Sequence, residues 1–143
     1  MIFIIEEIIR KEHTCKGRLQ KIIARSFELA EENTQTVNLI LQVFFSPPQQ
    51  GPPLDKMKLA HQRFRLIERV MHDGLEKKEI SGGDAQSLAL VFLGIMDMHI
   101  MAKSNRPETK LTREHAEGLV DLFLSGAGYR EKAQSKLQSP YSF

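Results

Sequence analysis

Four polar side chains form a stripe along one edge of a predicted helix: His61, Arg65, Glu68 and His72. They recur at three- and four-residue steps and border an apolar stripe that contains Phe64. Binding pockets are mostly apolar, with a few polar groups that orient the ligand. The pattern therefore predicts contact with a small molecule, for which His61 is the best candidate. A solvated edge with an Arg65–Glu68 ion pair explains the same pattern.

Asp97 and His99 interrupt an otherwise apolar segment. Residues two apart on a helix point in different directions, so we expect one to face a partner subunit and the other the chain's own core, each in a structural role. A metal site formed by His61, His72 and Asp97 lacks tight ligand spacing, so we expect no metal and no cofactor. Cys15 has no local partner motif, and no nucleophile elbow or phosphate loop occurs, so we expect no catalytic residue and no enzyme.

The composition is typical of a soluble globular domain. The chain has 143 residues, 41% hydrophobic and 27% charged, which suffices for one domain with its own core. With a net charge of only +2, the composition does not indicate the basic surface that binding of nucleic acid requires. Charged residues interrupt the apolar runs at 1–9 and 87–102, and neither run resembles a signal peptide or reaches the ~20 residues of a membrane span. We therefore expect a cytoplasmic protein with no membrane contact.

Helical periodicity fills the chain, and no useful stretch alternates with period two. The predicted fold class is all-α. Residues 1–128 form one helical domain, and 129–143 form a flexible tail. Five helices are predicted: the first in two pieces, at roughly 2–12 and 14–32, and the others at roughly 34–45, 54–78, 85–103 and after 112, with Thr14, Asp84 and Thr112 as helix caps. In the second piece of the first helix, Arg18 and Lys21 are predicted on the solvent face. The predicted apolar stripe of this piece consists of Leu19, Ile22, Ile23, Phe27 and Ala30.

The segment 85–103 is apolar on every side. Such a helix is buried on every side, which is hard to achieve within one chain of this size. We expect a two-fold homodimer in which the last two helices pair with their copies as a four-helix bundle; a central core helix is the alternative. The residues expected at the interface are Ser87, Leu90, Gly94, Met101, Val120, Phe123, Leu124 and Ala127.

The tract from Arg65 to Gly128 resembles the C-terminal half of TetR-type bacterial transcriptional regulators. Four elements support the resemblance: the stretch GLEKKEI at 74–80, the capping Asp84, the apolar helix at 88–101 and the closing LVDLFLSGAG at 119–128. The resemblance implies an antiparallel helical bundle that dimerises through its last two helices. It also implies a repressor whose small, largely apolar effector controls DNA binding.

The resemblance implies that the effector binds in a pocket between the helices. The residues expected to line this pocket are Phe27, Phe44, His61, Phe64, Arg65, Glu68, Phe92, Met96 and His99. TetR-type chains begin with a helix-turn-helix, and no recognition helix with clustered Arg and Lys occurs in this sequence. We therefore expect DNA binding only through a head that these residues do not contain. The alternative is a free-standing helical homodimer that binds an apolar ligand or a protein partner without a role at DNA.

Overall fold

The computed structural model describes residues 2–33, 35, 37–38 and 54–126. Within these residues the protein is all-helical and has no strand, which confirms the predicted fold class. The predicted helix at 34–45 with Phe44, as well as Ala127 and the predicted tail, lie outside the described residues. The helices are α1 (Ile2–Lys11), α2 (Cys15–Glu32), α3 (Leu54–Glu76), α4 (Ala85–Asn105) and α5 (Arg113–Ser125).

Three helices begin at the caps that the sequence predicts. Thr14, Asp84 and Thr112 precede α2, α4 and α5. Each side chain accepts a hydrogen bond from the backbone N–H three residues further on, at 3.0, 2.8 and 3.1 Å respectively. These bonds satisfy donors that have no partner inside the helix. At the other end of α5, Gly126 adopts a left-handed conformation with φ 61°, which residues with a side chain rarely adopt.

The core forms around α2. This helix packs against α1, α3, α4 and α5, and α3 packs along α4. The apolar stripe predicted along α2 is buried, as are the inner faces of α3 and α4. The largest side chains without significant exposure include Leu19, Ile22, Ile23, Phe27, Ile67, Met71, Phe92 and Met96.

Arg18 is buried, so its predicted place on the solvent face is wrong. Its Nε donates to the backbone oxygen of Glu12 at 2.8 Å, and its Nη2 donates to that of Ile9 at 2.9 Å. Its Nη1 contacts the carboxylate of Asp73 on α3 at 3.0 Å. The guanidinium therefore satisfies carbonyls at the end of α1 and joins three helices.

Gly74 allows α3 to approach the start of α2 closely. A Cβ atom at this position would lie 2.9 Å from Cys15 Sγ and 3.2 Å from Ile80 Cδ1, closer than atoms of a packed core normally come. Gly118 on α5 is the opposite case, since a Cβ atom there meets nothing within 4 Å. The two glycines therefore make a matched pair for a test of packing.

We expect Gly74→Ala to destabilise the protein, although alanine is the better helix former. The added methyl group overpacks the site at a cost of about 1–3 kcal/mol, which exceeds or cancels the ~1 kcal/mol that alanine gains over glycine in a helix. In Gly118→Ala no clash opposes the gain in helix propensity, so this variant should be more stable than the wild type. Urea denaturation of both variants measures the difference, and equal shifts in the same direction would contradict the close approach.

By length and composition alone, α4 could cross a membrane. It has 21 residues, whereas the sequence predicted a shorter apolar segment, and 33% of its most apolar 18-residue window is buried in the protein. Core helices of soluble proteins meet the same criterion, so this single helix is weak evidence. The cytoplasmic location stays a prediction.

Candidate functional site

One side of α4 is apolar and uncovered. Leu90, Val91 and Met98 are 58, 53 and 57% exposed, and Ser87 and Gly94 are exposed among them. Because an α-helix turns about 100° per residue, these five positions lie on a single arc. We call them the outer face of α4. More than half of each large side chain on this face meets solvent, which is unusual for a helix as apolar as α4.

The outer face contains three of the predicted interface residues: Ser87, Leu90 and Gly94. A Cβ atom at Gly94 would meet nothing within 4 Å, so the backbone itself is accessible there. Val91 and Met98 also belong to this face, although the sequence analysis did not include them among the interface residues. The arc they share with Gly94 at three- and four-residue steps was the signal that could have identified them.

The interface residues predicted on α5 have different surroundings. Val120 is completely buried in the core of its own chain, which leaves it no surface to offer a partner. Phe123, Leu124 and also Met101 of α4 are half-buried against the core. Leu122, which was not predicted, is 46% exposed.

The residues predicted to line an effector pocket fall into three groups among those described. Phe27, Phe92 and Met96 are completely buried. Phe64, Glu68 and His99 are half-buried, and His61 and Arg65 are exposed. The structure therefore does not gather these side chains around one open site.

The polar stripe on α3 has a different internal contact from the predicted Arg65–Glu68 pair. Arg65 Nε lies 3.1 Å from His61 Nε2, one helical turn away, and both side chains are exposed. An exposed contact of this kind is weak. It agrees with the interpretation of the stripe as a solvated edge, and ligand contact by His61 stays a prediction.

Two cavities lie elsewhere in the structure. One, of about 530 Å³, lies between α1, α2 and the start of α5, with Ile4, Ile8 and Arg113 in its wall. The other, of about 630 Å³, lies where α3 and α5 end and α2 and α4 begin, with Leu88 and Phe123 in its wall. No residue predicted to bind the effector lines either of these two cavities.

Asp97 faces α3 and not the outer face of α4. It is buried, and its two carboxylate oxygens accept hydrogen bonds from Arg63 Nη1 at 2.9 Å and Nη2 at 2.6 Å. This two-point geometry is among the strongest ion pairs that proteins form. The sequence analysis did not assign Arg63 a role, although Arg63 lies one turn before Ile67 on the buried side of α3.

His99 faces α5. Its Nδ1 lies 2.6 Å from the backbone oxygen of Ile95, and its ring centroid lies 5.2 Å from that of His115. The His115 ring in turn stacks on Phe27 at 6.1 Å. Neither Asp97 nor His99 thus faces the exposed side of α4, so the prediction that one of them faces a partner subunit finds no support in their contacts. His115 was missed because its partners are on other helices.

Cys15 is buried at the start of α2, where its backbone N–H donates to Glu79 Oε2 at 3.1 Å. Burial, with a smaller contribution from the nearby Glu79 carboxylate, raises the pKa of the Cys15 thiol to about 11. The thiol is therefore protonated at neutral pH, whereas the thiolate is the nucleophilic form. That Cys15 is not a catalytic residue stays a prediction.

The ion pairs and buried groups described above link helices to one another. Among the described residues, no group of three or more His, Cys, Asp or Glu could hold a metal ion. The outer face of α4 is a surface feature of the described residues that these contacts leave unexplained. Comparisons of the chain with protein-family models, with curated proteins and with solved structures found no match.

Proposed function

We propose that this chain is the effector-sensing and dimerisation domain of a TetR-like bacterial transcriptional regulator. In this function two copies pair through their last two helices. A small, largely apolar effector then controls DNA binding by a helix-turn-helix outside these residues. The observation that carries the proposal is the outer face of α4, because a contiguous exposed apolar face is typical of an interface.

The arrangement of α4 and α5 supports this use of the face. Phe92 contacts Phe123 with ring centroids 5.6 Å apart, and His99 contacts His115. An early residue of α4 thus meets a late residue of α5, and a late one meets an early one. This order supports an antiparallel arrangement of α4 and α5, two copies of which would make the four-helix bundle that the resemblance implies.

The energetics require an interface larger than the outer face alone. Burying a large apolar side chain gains about 1.5–3 kcal/mol, so a half-exposed one gains about half of that. The six large side chains on two outer faces then supply roughly 5–9 kcal/mol. Association costs about 4–15 kcal/mol. A dimer that forms at micromolar concentration needs about 8 kcal/mol beyond this cost, so exposed surface of α5, such as Leu122, must join the interface.

The regulatory role depends on the resemblance of residues 65–128 to TetR-type regulators. The alternative, a free-standing homodimer that binds an apolar ligand or a protein partner, uses the same outer face. An in-frame helix-turn-helix coded directly before Met1 supports the regulator, and a stop codon there would exclude it. Native mass spectrometry of the purified protein tests for a bound effector.

We expect the protein to be a dimer at micromolar concentration and Met98→Glu to dissociate it. In the dimer the new carboxylate would be buried without a partner, which costs several kcal/mol and weakens association at least ~100-fold. Sedimentation equilibrium measures the dissociation constant, and circular dichroism verifies the fold of the variant.

The matched control is Leu59→Glu. Leu59 is 44% exposed, but it lies on α3, outside the proposed interface, so this charge should leave the dimer intact. A well-folded wild-type monomer at micromolar concentration would refute the proposal. So would a Met98→Glu variant that dimerises as tightly as Leu59→Glu.

A further inference from the structure

The contact between His99 of α4 and His115 of α5 supports the order of these two helices, and it also brings two imidazole rings together. His99 is half-buried and His115 is exposed, so solvent reaches the pair from the α5 side. Their ring centroids are 5.2 Å apart, with an angle of 61° between the ring planes. An imidazole nitrogen lies about 2.0–2.1 Å from a bound Zn²⁺, which places the centroids of two rings on one tetrahedral ion roughly 5 Å apart. The observed separation fits that arrangement.

The hydrogen bond of His99 prepares its ring for a metal. A backbone oxygen only accepts hydrogen bonds, so the contact of 2.6 Å between Nδ1 and Ile95 O places the hydrogen of the neutral ring on Nδ1. Nε2 then carries the free lone pair. A histidine that ligates a metal through one nitrogen typically donates its other N–H to a backbone carbonyl or a carboxylate in just this way.

The position of His115 is also fixed by its surroundings. Its ring stacks on Phe27 at an interplanar angle of 22°, and its backbone N–H donates to the cap of α5, Thr112. Among the contacts of the described residues, no hydrogen bond involves either ring nitrogen of His115, so both remain available. The ring is thus oriented by packing and not by a competing polar partner.

We propose that His99 and His115 bind a divalent transition-metal ion of the Zn²⁺ class between α4 and α5. Imidazole nitrogens suit such ions, and the hard cations Mg²⁺ and Ca²⁺ prefer oxygen ligands. Nε2 of His99 is one ligand, a ring nitrogen of His115 is the second, and water completes the coordination. The ion would fasten the two helices at the end of their contact opposite to Phe92 and Phe123.

The test is calorimetric titration of the full chain with ZnCl₂, after removal of any affinity tag and treatment with a chelator. Loss of a partner in the outer shell of a metal site costs about 10–100-fold in affinity, so loss of a ligand should cost at least ~10-fold. We expect this weakening in both His99→Gln and His115→Gln. The matched control is His72→Gln, which removes an exposed imidazole beside Glu76 on α3 and should leave the affinity unchanged.

Thermal denaturation gives a second measurement. Zn²⁺ should raise the melting temperature of the wild type and of His72→Gln, and it should raise that of His99→Gln or His115→Gln much less, since a ligand stabilises only the state that binds it. Mg²⁺ should have no comparable effect on any of them. The absence of Zn²⁺ binding at millimolar metal, or binding that neither His99→Gln nor His115→Gln weakens, would overturn the proposal. Neither outcome depends on whether the chain dimerises.

Discussion

Asp97→Leu is expected to lower the free energy of unfolding by about 3–5 kcal/mol, the usual effect of removing one partner from a buried ion pair. The side chain of Arg63 is almost as well buried as that of Asp97, with 11 and 8% exposed respectively. Without the carboxylate, the guanidinium stays in the core unpaired or pulls α3 away from α4. Urea denaturation at a fixed protein concentration measures the loss and keeps any effect of dimerisation constant.

The double variant Arg63→Met/Asp97→Leu is the control for this explanation. Replacing a whole buried ion pair by apolar side chains of similar volume is often neutral or stabilising. The double variant should therefore be more stable than Asp97→Leu, even though it carries one more substitution. If the effects of the two substitutions on the free energy of unfolding are additive, the loss of stability in Asp97→Leu comes from packing and not from the unpaired charge.

The helical class, the caps and the buried stripe of α2 could be predicted because each depends on local spacing. A 3.6-residue period reports which side of a helix is apolar, and Thr14 or Asp84 marks where the helix begins. Both signals lie within a few residues of one another in the chain. The structure confirms them because packing does not override them here.

The partners of charged and aromatic groups across helices could not be predicted in the same way. Arg63 reaches Asp97 over 34 positions of the sequence, and His115 meets rings on two other helices. Such pairs depend on how far each helix is rotated about its axis, and a one-helix pattern does not fix that angle. A helix that is apolar on every side, such as α4, is the extreme case, because its sequence does not indicate which side packs against the rest of the chain.

Arg18 raises the same problem at the start of the chain, since it lies one position before the buried Leu19 and within hydrogen-bonding reach of α1. We expect Arg18→Met to lower the free energy of unfolding by at least about 1–3 kcal/mol, the cost of leaving a buried acceptor without its donor. The methionine fills part of the space, but it leaves the Asp73 carboxylate without its cation. It also leaves the backbone oxygens of Ile9 and Glu12 without the donors that Arg18 provides, and a lost donor to a buried acceptor carries its own cost.

The loss should be concentrated in α1. Hydrogen exchange of the α1 amides should accelerate more in Arg18→Met than exchange in α5, because α5 does not contact this guanidinium among the bonds described for Arg18. Lys21→Met is the matched control: it removes a cation three residues further along the same helix, whose side chain is 61% exposed and whose ion pair with Glu12 therefore contributes little. If the Arg18→Met and Lys21→Met variants are equally stable, the three bonds of Arg18 do not hold α1 in place. A uniform acceleration across all helices would instead assign Arg18 to the core as a whole, and not to the attachment of α1.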